Sequence, residues 1–196
     1  MNYAAAEKYA LDLLKEKLPS TLLYHNLDHT LDVMESCVRI GTSEKVSIHE
    51  LTLLKTAAAF HDTGFTERYE ANEGIGCRIA ELALKEYGYV KSDIDIICEI
   101  IMATEITASP NNLLHEIIRD ADLDYLGRDD FFRISNNLRK ELQLHGTSFT
   151  DKDWYIEQVK FLENHYYSTL TAKAERQAGK QKNLEQVKKV LRLGQF

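Results

Sequence analysis

The 196-residue chain is poor in cysteine and proline and lacks any long apolar run. Its three cysteines, Cys37, Cys77 and Cys98, form no Cys-x-x-Cys pair, which argues against a thiolate zinc site. Cys37 and Cys98 have apolar neighbours and are predicted to be small core residues in a reducing compartment. No apolar segment approaches the roughly 18 residues of a membrane span, and residues 1–17 are amphipathic, unlike a signal peptide. We therefore expect a cytoplasmic protein with no membrane partner.

An excess of basic residues is also absent, since the net charge is −7. The chain as a whole lacks the positive field that attracts nucleic acid polymers or anionic membranes. The charge is uneven, because residues 171–196 carry a net +5 and the remainder −12. We interpret this basic C-terminal helix as a solvated face, with a phosphate contact as the alternative.

Strand-like alternation is the third absence. The hydrophobic content of 44% is typical of a globular chain, and 196 residues suffice for one domain. Pro19 and Pro110 fall between periodic segments, where helix breakers belong. These features predict an all-α fold, a single compact helical bundle over residues 1–196. Helices are expected near residues 2–17, 27–40, 48–62, 72–87, 93–104, 112–123, 129–145, 151–170 and 173–192.

Several helix ends carry chemical signals. Ser47 and Glu50 have the spacing of a capping box, in which each side chain satisfies a free backbone N–H. The other signals are two weaker capping pairs, Ser92 with Asp95 and Thr150 with Asp153, and three glycines that follow helical runs, Gly41, Gly88 and Gly146.

Two glycine-containing stretches resemble nucleotide-binding loops only in part. Gly74-Ile75-Gly76 has Ile79 where a dinucleotide fingerprint needs its third glycine, and no strand precedes it. Gly179-Lys180 is followed by Gln181 instead of the Ser or Thr of a phosphate loop. We reject both.

The adjacent pair His61-Asp62 ends the predicted helix 48–62. Residues 57–60 are apolar on every face, so the end of this helix is predicted to be buried. A buried His-Asp pair is costly unless both groups are hydrogen-bonded or bind a metal ion. A core histidine with a capping aspartate is the structural alternative.

Two further segments carry ligand-type side chains. If residues 25–29 are helical, His25 and His29 face the same direction, although such a spacing alone is weak evidence. The carboxylates Asp120, Asp122 and Asp124 stand beside apolar residues and would repel one another without a cation or proton. Helical phase puts Asp124 nearest the apolar face and Asp122 near its edge, and a solvated helix end is the alternative. Imidazole with carboxylate suits Mn²⁺, Fe²⁺, Co²⁺, Ni²⁺ or Mg²⁺.

The segments Tyr24-His25-Asn26-x-x-His29, His61-Asp62-x-Gly64 and Asp120-Ala121-Asp122-Leu123 together resemble the signature of HD-domain metal-dependent phosphohydrolases. The first is also similar to the corresponding segment of cyclic-nucleotide phosphodiesterases. The resemblance extends to Trp154–Tyr167 and covers about residues 20–170. It implies an all-helical fold and a proton-donating role for His25. It also implies one divalent ion, held by His29, His61, Asp62 and Asp122.

The chain departs from this family at positions that would serve a second metal ion. Asn72-Glu73 stands where a His-Glu is common, and Thr104 where another histidine occurs in relatives. Asn is a poor ligand for a second transition ion, so a one-metal site is expected. His115 is the remaining nearby candidate and is predicted to be exposed.

These residues predict a phosphohydrolase that acts on a small phosphorylated substrate, either a monoester or a diester, such as a nucleotide, a cyclic nucleotide or a related metabolite. A metal ion activates water for such a reaction. Asp62 would hold the ion and accept a proton, and His25 would protonate the leaving oxygen. Arg68, Arg78 and Arg128 are candidates for binding the phosphate.

Two other functions remain as alternatives, and the oligomeric state is open. A metal-containing module could bind a phosphorylated ligand as a sensor or regulator without turnover. A purely structural helical domain would leave the buried His-Asp pair without a reason. The amphipathic C-terminal helix also allows a homodimer as an alternative to a monomer.

Overall fold

The computed structural model describes residues 1–194, and every regular element within them is a helix. The all-α helical bundle predicted from the sequence is thereby confirmed. The α-helices are α1 (Tyr3–Lys17), α2 (Leu27–Ser43), α3 (Ile48–Phe60), α4 (Asn72–Glu86), α5 (Lys91–Met102), α6 (Leu113–Asp122), α7 (Phe131–Leu144), α8 (Asp151–Asn164) and α9 (Leu170–Leu193). Two short 3-10 helices, Thr63–Thr66 and Asp124–Gly127, follow α3 and α6.

Several predicted helix ends are confirmed. The side chains of Ser47 and Glu50 form both hydrogen bonds of a capping box at the start of α3. Thr150 caps α8 by accepting from the backbone N–H of Asp153. Gly88 and Gly146 have φ values of +73° and +94°, in the left-handed region that favours glycine after a helix.

Three predicted boundaries are wrong. Ser92 does not cap α5, which begins one residue earlier at Lys91. Gly41 lies inside α2 and does not end it. The predicted helix 151–170 ends at Asn164, because the chain turns to extended backbone at the next residue and Thr169 then caps α9.

The centre of the bundle is α3. Its residues Ala57, Ala58, Ala59 and Phe60 are fully buried, since α1, α2 and α5 pack around this helix. Helix α2 also packs on α6. The three segments singled out in the sequence are thus carried by neighbouring helices: one at the start of α2, one at the end of α3 and one at the end of α6.

The basic helix α9 packs over the 3-10 helix Asp124–Gly127. A Cβ atom on Gly179 would lie 1.9 Å from the carbonyl oxygen of Gly127, so this crossing requires glycine. Gly179 therefore serves helix packing, in agreement with its rejection as a phosphate loop. The adjacent Lys180 is buried, so the predicted solvated face does not extend to it. The last two residues of the predicted segment 171–196 lie outside the described residues.

The cysteines occupy different environments. Cys37 is fully buried, as predicted, whereas Cys98 is only partly buried. The thiols of Cys77 and Cys98 donate to each other's backbone carbonyl oxygens. Within residues 1–194, none of the helices combines the length and apolar character required to cross a membrane.

Candidate metal centre

Side chains from three helices converge at one point. His29 in α2, His61 directly after α3 and Asp122 at the end of α6 each offer one ligand atom, and these atoms all lie within 4.8 Å of one another. Oδ1 of Asp122 is 3.1 Å from Nε2 of His29 and 3.9 Å from Nε2 of His61. Among the described residues this is the one group with the spacing of a metal site.

Asp62 lies beside the same cluster. Its Oδ2 atom is 3.5 Å from Nε2 of His29 and 3.2 Å from Nε2 of His61. Although the atoms are close, none is aligned for a hydrogen bond, and both Nε2 atoms and Oδ2 are buried without a hydrogen-bond partner among the described residues. Unpaired buried polar atoms are costly, and a shared cation would satisfy all three. The residues present therefore fit a divalent ion.

The ring of His61 is oriented by the backbone. Its Nδ1 atom is 2.7 Å from the carbonyl oxygen of Ala58, so that Nδ1 carries the proton and Nε2 is directed into the cluster. Metal-binding histidines typically donate a hydrogen bond from their other ring N–H to such an acceptor. The apolar end of α3 thus both buries His61 and sets its orientation.

The electrostatics of the cluster are those of crowded, buried charges. Burial opposes the protonation of His61, yet the carboxylates of Asp62 and Asp122 raise its pKa to about 9. Burial also opposes ionisation of Asp62, but the imidazoles of His61, His25 and His29 hold its pKa well below the usual range. In the absence of a metal ion, the positive charge of protonated His61 therefore partly balances the two carboxylates.

The structure separates the roles of the three aspartates at the end of α6. Asp120 and Asp124 are buried, whereas the side chain of Asp122 is 20% exposed. The carboxylate of Asp120 accepts from the backbone N–H groups of Ser168 and Thr169. Asp124, which helical phase placed nearest the apolar face, is indeed buried, but it accepts from Arg39 and Arg176. Only Asp122 reaches the histidines, as the family resemblance implied.

His25 lies next to the cluster but not on a helix. Helix α2 begins at Leu27, with Asn26 as its cap, so residues 25–29 are not all helical and the condition for a helical spacing of His25 and His29 is not met. The two rings are nevertheless 5.8 Å apart. Nδ1 of His25 is 2.5 Å from Oε1 of Glu141, which leaves Nε2 free to face a substrate.

Glu141 is a functional candidate that the sequence analysis missed. It is fully buried in α7 and also accepts from the backbone N–H groups of Tyr24 and His25 and from the hydroxyl of Tyr69. One signal was present in the sequence: the apolar face of α7 runs through Phe131 and Leu138, and a helical period carries it to Glu141.

The three predicted phosphate-binding arginines do not lie together. Arg68 lines a cavity beside the cluster, and its guanidinium donates to the backbone carbonyls of Glu70 and Ala71. Arg128 lines a second cavity, but its donors bind Asp32 and Asp130. Arg78 pairs with Glu67 on the surface and is not among the residues that line either cavity.

At the positions considered for a second metal ion, the structure shows packing and hydrogen-bonding contacts. The backbone of Asn72 packs so closely on Gly64 that a Cβ atom there would lie 1.9 Å from the carbonyl oxygen of Asn72. Thr104 donates to the carbonyl oxygen of Ile101. His115 is buried, so its predicted exposure is wrong, and burial lowers its pKa. It belongs to the start of α6, whereas Asp122 ends that helix.

Two cavities adjoin the centre. The smaller, of about 420 Å³, is lined by His29, and the larger, of about 790 Å³, by His25. Tyr24, Asp122 and Tyr125 line both, so the two cavities meet at the cluster. Solvent and a small molecule therefore have room on either side of the candidate ligands.

Comparison with known proteins identifies the fold but no function. No protein-family model and no curated protein matches the chain. A structural-genomics crystal structure of a Lactobacillus plantarum protein has a similar fold, with a TM-score of 0.70 at 18% sequence identity. The similarity covers 96% of this chain and 94% of the other. A natural protein thus shares this arrangement of helices along nearly its whole length.

Proposed function

We propose that the chain is a metal-dependent phosphohydrolase of the HD-domain type, which cleaves a small phosphate ester with an activated water. One observation carries the proposal: the Nε2 atoms of His29 and His61 are buried without a hydrogen-bond partner among the described residues, and each lies within 4 Å of the carboxylates of both Asp62 and Asp122. A purely structural domain gains nothing from such a group, whereas a divalent ion would satisfy it.

His29, His61, Asp62 and Asp122 would hold one ion, chosen from Mn²⁺, Fe²⁺, Ni²⁺, Co²⁺ and Mg²⁺. When bound, the ion would supply positive charge to a phosphoryl oxygen and lower the pKa of a water molecule. Asp62, which is ionised at neutral pH, accepts a proton as the water oxygen adds to phosphorus. The bond from phosphorus to the ester oxygen breaks, and protonated His25 donates its Nε2 proton to that oxygen. The products are an alcohol and phosphate, or a phosphomonoester if the substrate is a diester.

Positioning of His25 supports its assignment as the proton donor. Burial opposes its protonation, but the hydrogen bond to Glu141 and the carboxylate of Asp62 raise its pKa above the ordinary value. An imidazole with a raised pKa keeps its proton to higher pH than a free one and is therefore better suited to act as a general acid. Glu141 is therefore a positioning residue that acts through His25.

The proposal is tested by metal analysis together with phosphate release. Purified protein, loaded with each of the five ions in turn, is incubated with phosphate monoesters, cyclic nucleotides and nucleoside triphosphates. We expect Asp122→Asn to lose both the metal and turnover. We expect His25→Asn to retain the metal and to lose about 10²- to 10⁴-fold in kcat. A metal-loaded protein that binds these compounds without releasing product would overturn the hydrolase and leave a sensor module.

A further inference from the structure

The larger cavity combines an apolar wall with one edge of the metal centre. Its apolar lining includes Met102, Ile106, Leu142, Phe149, Trp154 and Phe161. At about 790 Å³ it has the size of a cavity for a small organic molecule. Two of these side chains, Ile106 and Met102, are 65% and 39% exposed and can be reached from solvent.

The position of His25 decides which part of a substrate enters this cavity. His25 lines the larger cavity and is not among the residues that line the smaller one. A proton donor must reach the leaving oxygen directly or through one water. The alcohol attached to that oxygen therefore extends into the larger cavity.

The charges on the lining restrict the alcohol further. Of the lysines and arginines in residues 1–194, Arg68 alone lines this cavity, and its guanidinium already donates to two backbone carbonyls. Three carboxylates, those of Glu73, Glu105 and Glu157, line it in addition to Asp122. A second phosphate on the alcohol would thus meet three glutamates against one guanidinium, a net negative lining that repels it.

We propose that this cavity binds a bulky apolar or aromatic alcohol carrying no further phosphate, so that the substrate has a single phosphoryl group. This inference rests on the proposed function, since it takes the orientation of the ester from the role of His25. It disfavours nucleoside triphosphates and other polyphosphates as substrates.

Phosphonates, which lack the cleavable ester bond, test the inference by binding alone. Calorimetry with the Mn²⁺-loaded protein would compare methylphosphonate, phenylphosphonate and 1,4-phenylenediphosphonate. We expect phenylphosphonate to bind at least about tenfold more tightly than methylphosphonate, because the ring enters the apolar cavity. We expect the diphosphonate, which has the same ring and a second remote charge, to bind more weakly than phenylphosphonate.

A matched pair of variants locates the effect. Ile106→Asp puts a charge at the rim of the cavity, and Leu82→Asp puts one at a residue of α4 that is 62% exposed and does not line it. We expect Ile106→Asp to weaken phenylphosphonate binding about tenfold and to leave methylphosphonate binding and metal content unchanged. Leu82→Asp should change none of these.

The outcomes separate this inference from the proposed function. Equal binding of methyl- and phenylphosphonate, tighter binding of the diphosphonate, or indifference to Ile106→Asp overturns the cavity assignment, even if esters are hydrolysed. Selective binding of phenylphosphonate without hydrolysis of any ester supports the cavity assignment and overturns the hydrolase.

Discussion

The carboxylate of Glu141 lies 2.5 Å from Nδ1 of His25, although the two residues are 116 positions apart. The same carboxylate accepts from the backbone N–H groups of Tyr24 and His25. A single buried side chain thus sets both the path of the segment before α2 and the direction of its imidazole.

Replacing Glu141 with Gln tests this relationship through the pH dependence of turnover. Burial opposes protonation of His25, and Glu141 together with the carboxylates of Asp62 and Asp122 more than offsets burial, so that the pKa of His25 is raised. A general acid works below its pKa, so the loss of the carboxylate should move the alkaline limb of the kcat profile to lower pH. We also expect a destabilisation of about 1–3 kcal/mol, because the backbone donors lose a charged acceptor.

The matched control is Glu163→Gln, which removes a surface carboxylate paired with Lys188. It should leave both the pH profile and the stability unchanged within about 0.5 kcal/mol. An unshifted alkaline limb in Glu141→Gln, with folding intact, would contradict the positioning role.

Metal binding should release a proton. With a pKa of about 9, His61 carries a proton on Nε2 at pH 7 in the metal-free protein, and a metal ion must displace it. The apparent affinity should therefore rise about tenfold per pH unit from pH 7 and level off near pH 9. Calorimetry in buffers of different ionisation enthalpy counts the released proton. A pH-independent affinity would argue against His61 as a ligand, and His49→Gln, at an exposed histidine, is the control.

Asp122 and Asp124 provide a matched test of ligand against structural carboxylate. Asp122→Asn should abolish metal binding and destabilise the metal-free protein less than Asp124→Asn does, since the Asp122 side chain is 20% exposed and has no arginine partner within residues 1–194. Asp124→Asn should instead destabilise the protein by about 3–5 kcal/mol, because Arg39 and Arg176 lose their buried partner. Chemical denaturation and metal analysis of both variants check this. If Asp124→Asn lost the metal and Asp122→Asn lost the stability, Asp124 and not Asp122 would be the ligand.

Gly64→Ala should disturb the centre without altering any candidate ligand. Its Cβ atom would lie 1.9 Å from the carbonyl oxygen of Asn72, so the start of α4 or the segment after Asp62 must move. We expect a loss of about 1–3 kcal/mol in the free energy of unfolding, together with weaker metal binding.

Gly74→Ala is the control for this overpacking. It lies in α4, and a Cβ atom there meets nothing within 4 Å. Alanine should stabilise this helix by about 0.5–1 kcal/mol. If thermal unfolding showed both variants to be equally stable, the close contact between Gly64 and Asn72 would have no energetic role.

Much of the fold follows from the sequence because helices have local causes. Apolar periodicity and capping side chains such as Ser47 and Thr150 predict most helices to within a few residues. The break between α8 and α9 was predicted at residues 171–172 and lies at residues 165–169 instead, because Thr169 caps α9 while its own backbone N–H donates to the distant Asp120. Such a contact has no signal in local periodicity.

In the candidate site, too, some residues follow from local sequence and others only from the fold. The burial of His61 was predictable because it follows residues 57–60, the end of a helix that is apolar on all faces there. Asp122 was not chosen by periodicity, because helical phase identifies a buried carboxylate but cannot tell a metal ligand from a partner of arginines, the role of Asp124. The pairing of Glu141 with His25 joins segments that are remote in sequence, so only the fold brings it out.

The two aspartates that flank Asp122 have a consequence for the far end of the chain. Asp120 holds the N-terminus of α9, and Asp124 holds Arg176 within that helix. The basic C-terminal helix is therefore bound to residues 120–124 on the side away from the metal centre. A truncation of this helix, or a partner that displaces it, would make the segment that carries Asp122 more mobile. This would weaken metal binding even though the helix supplies none of the candidate ligands.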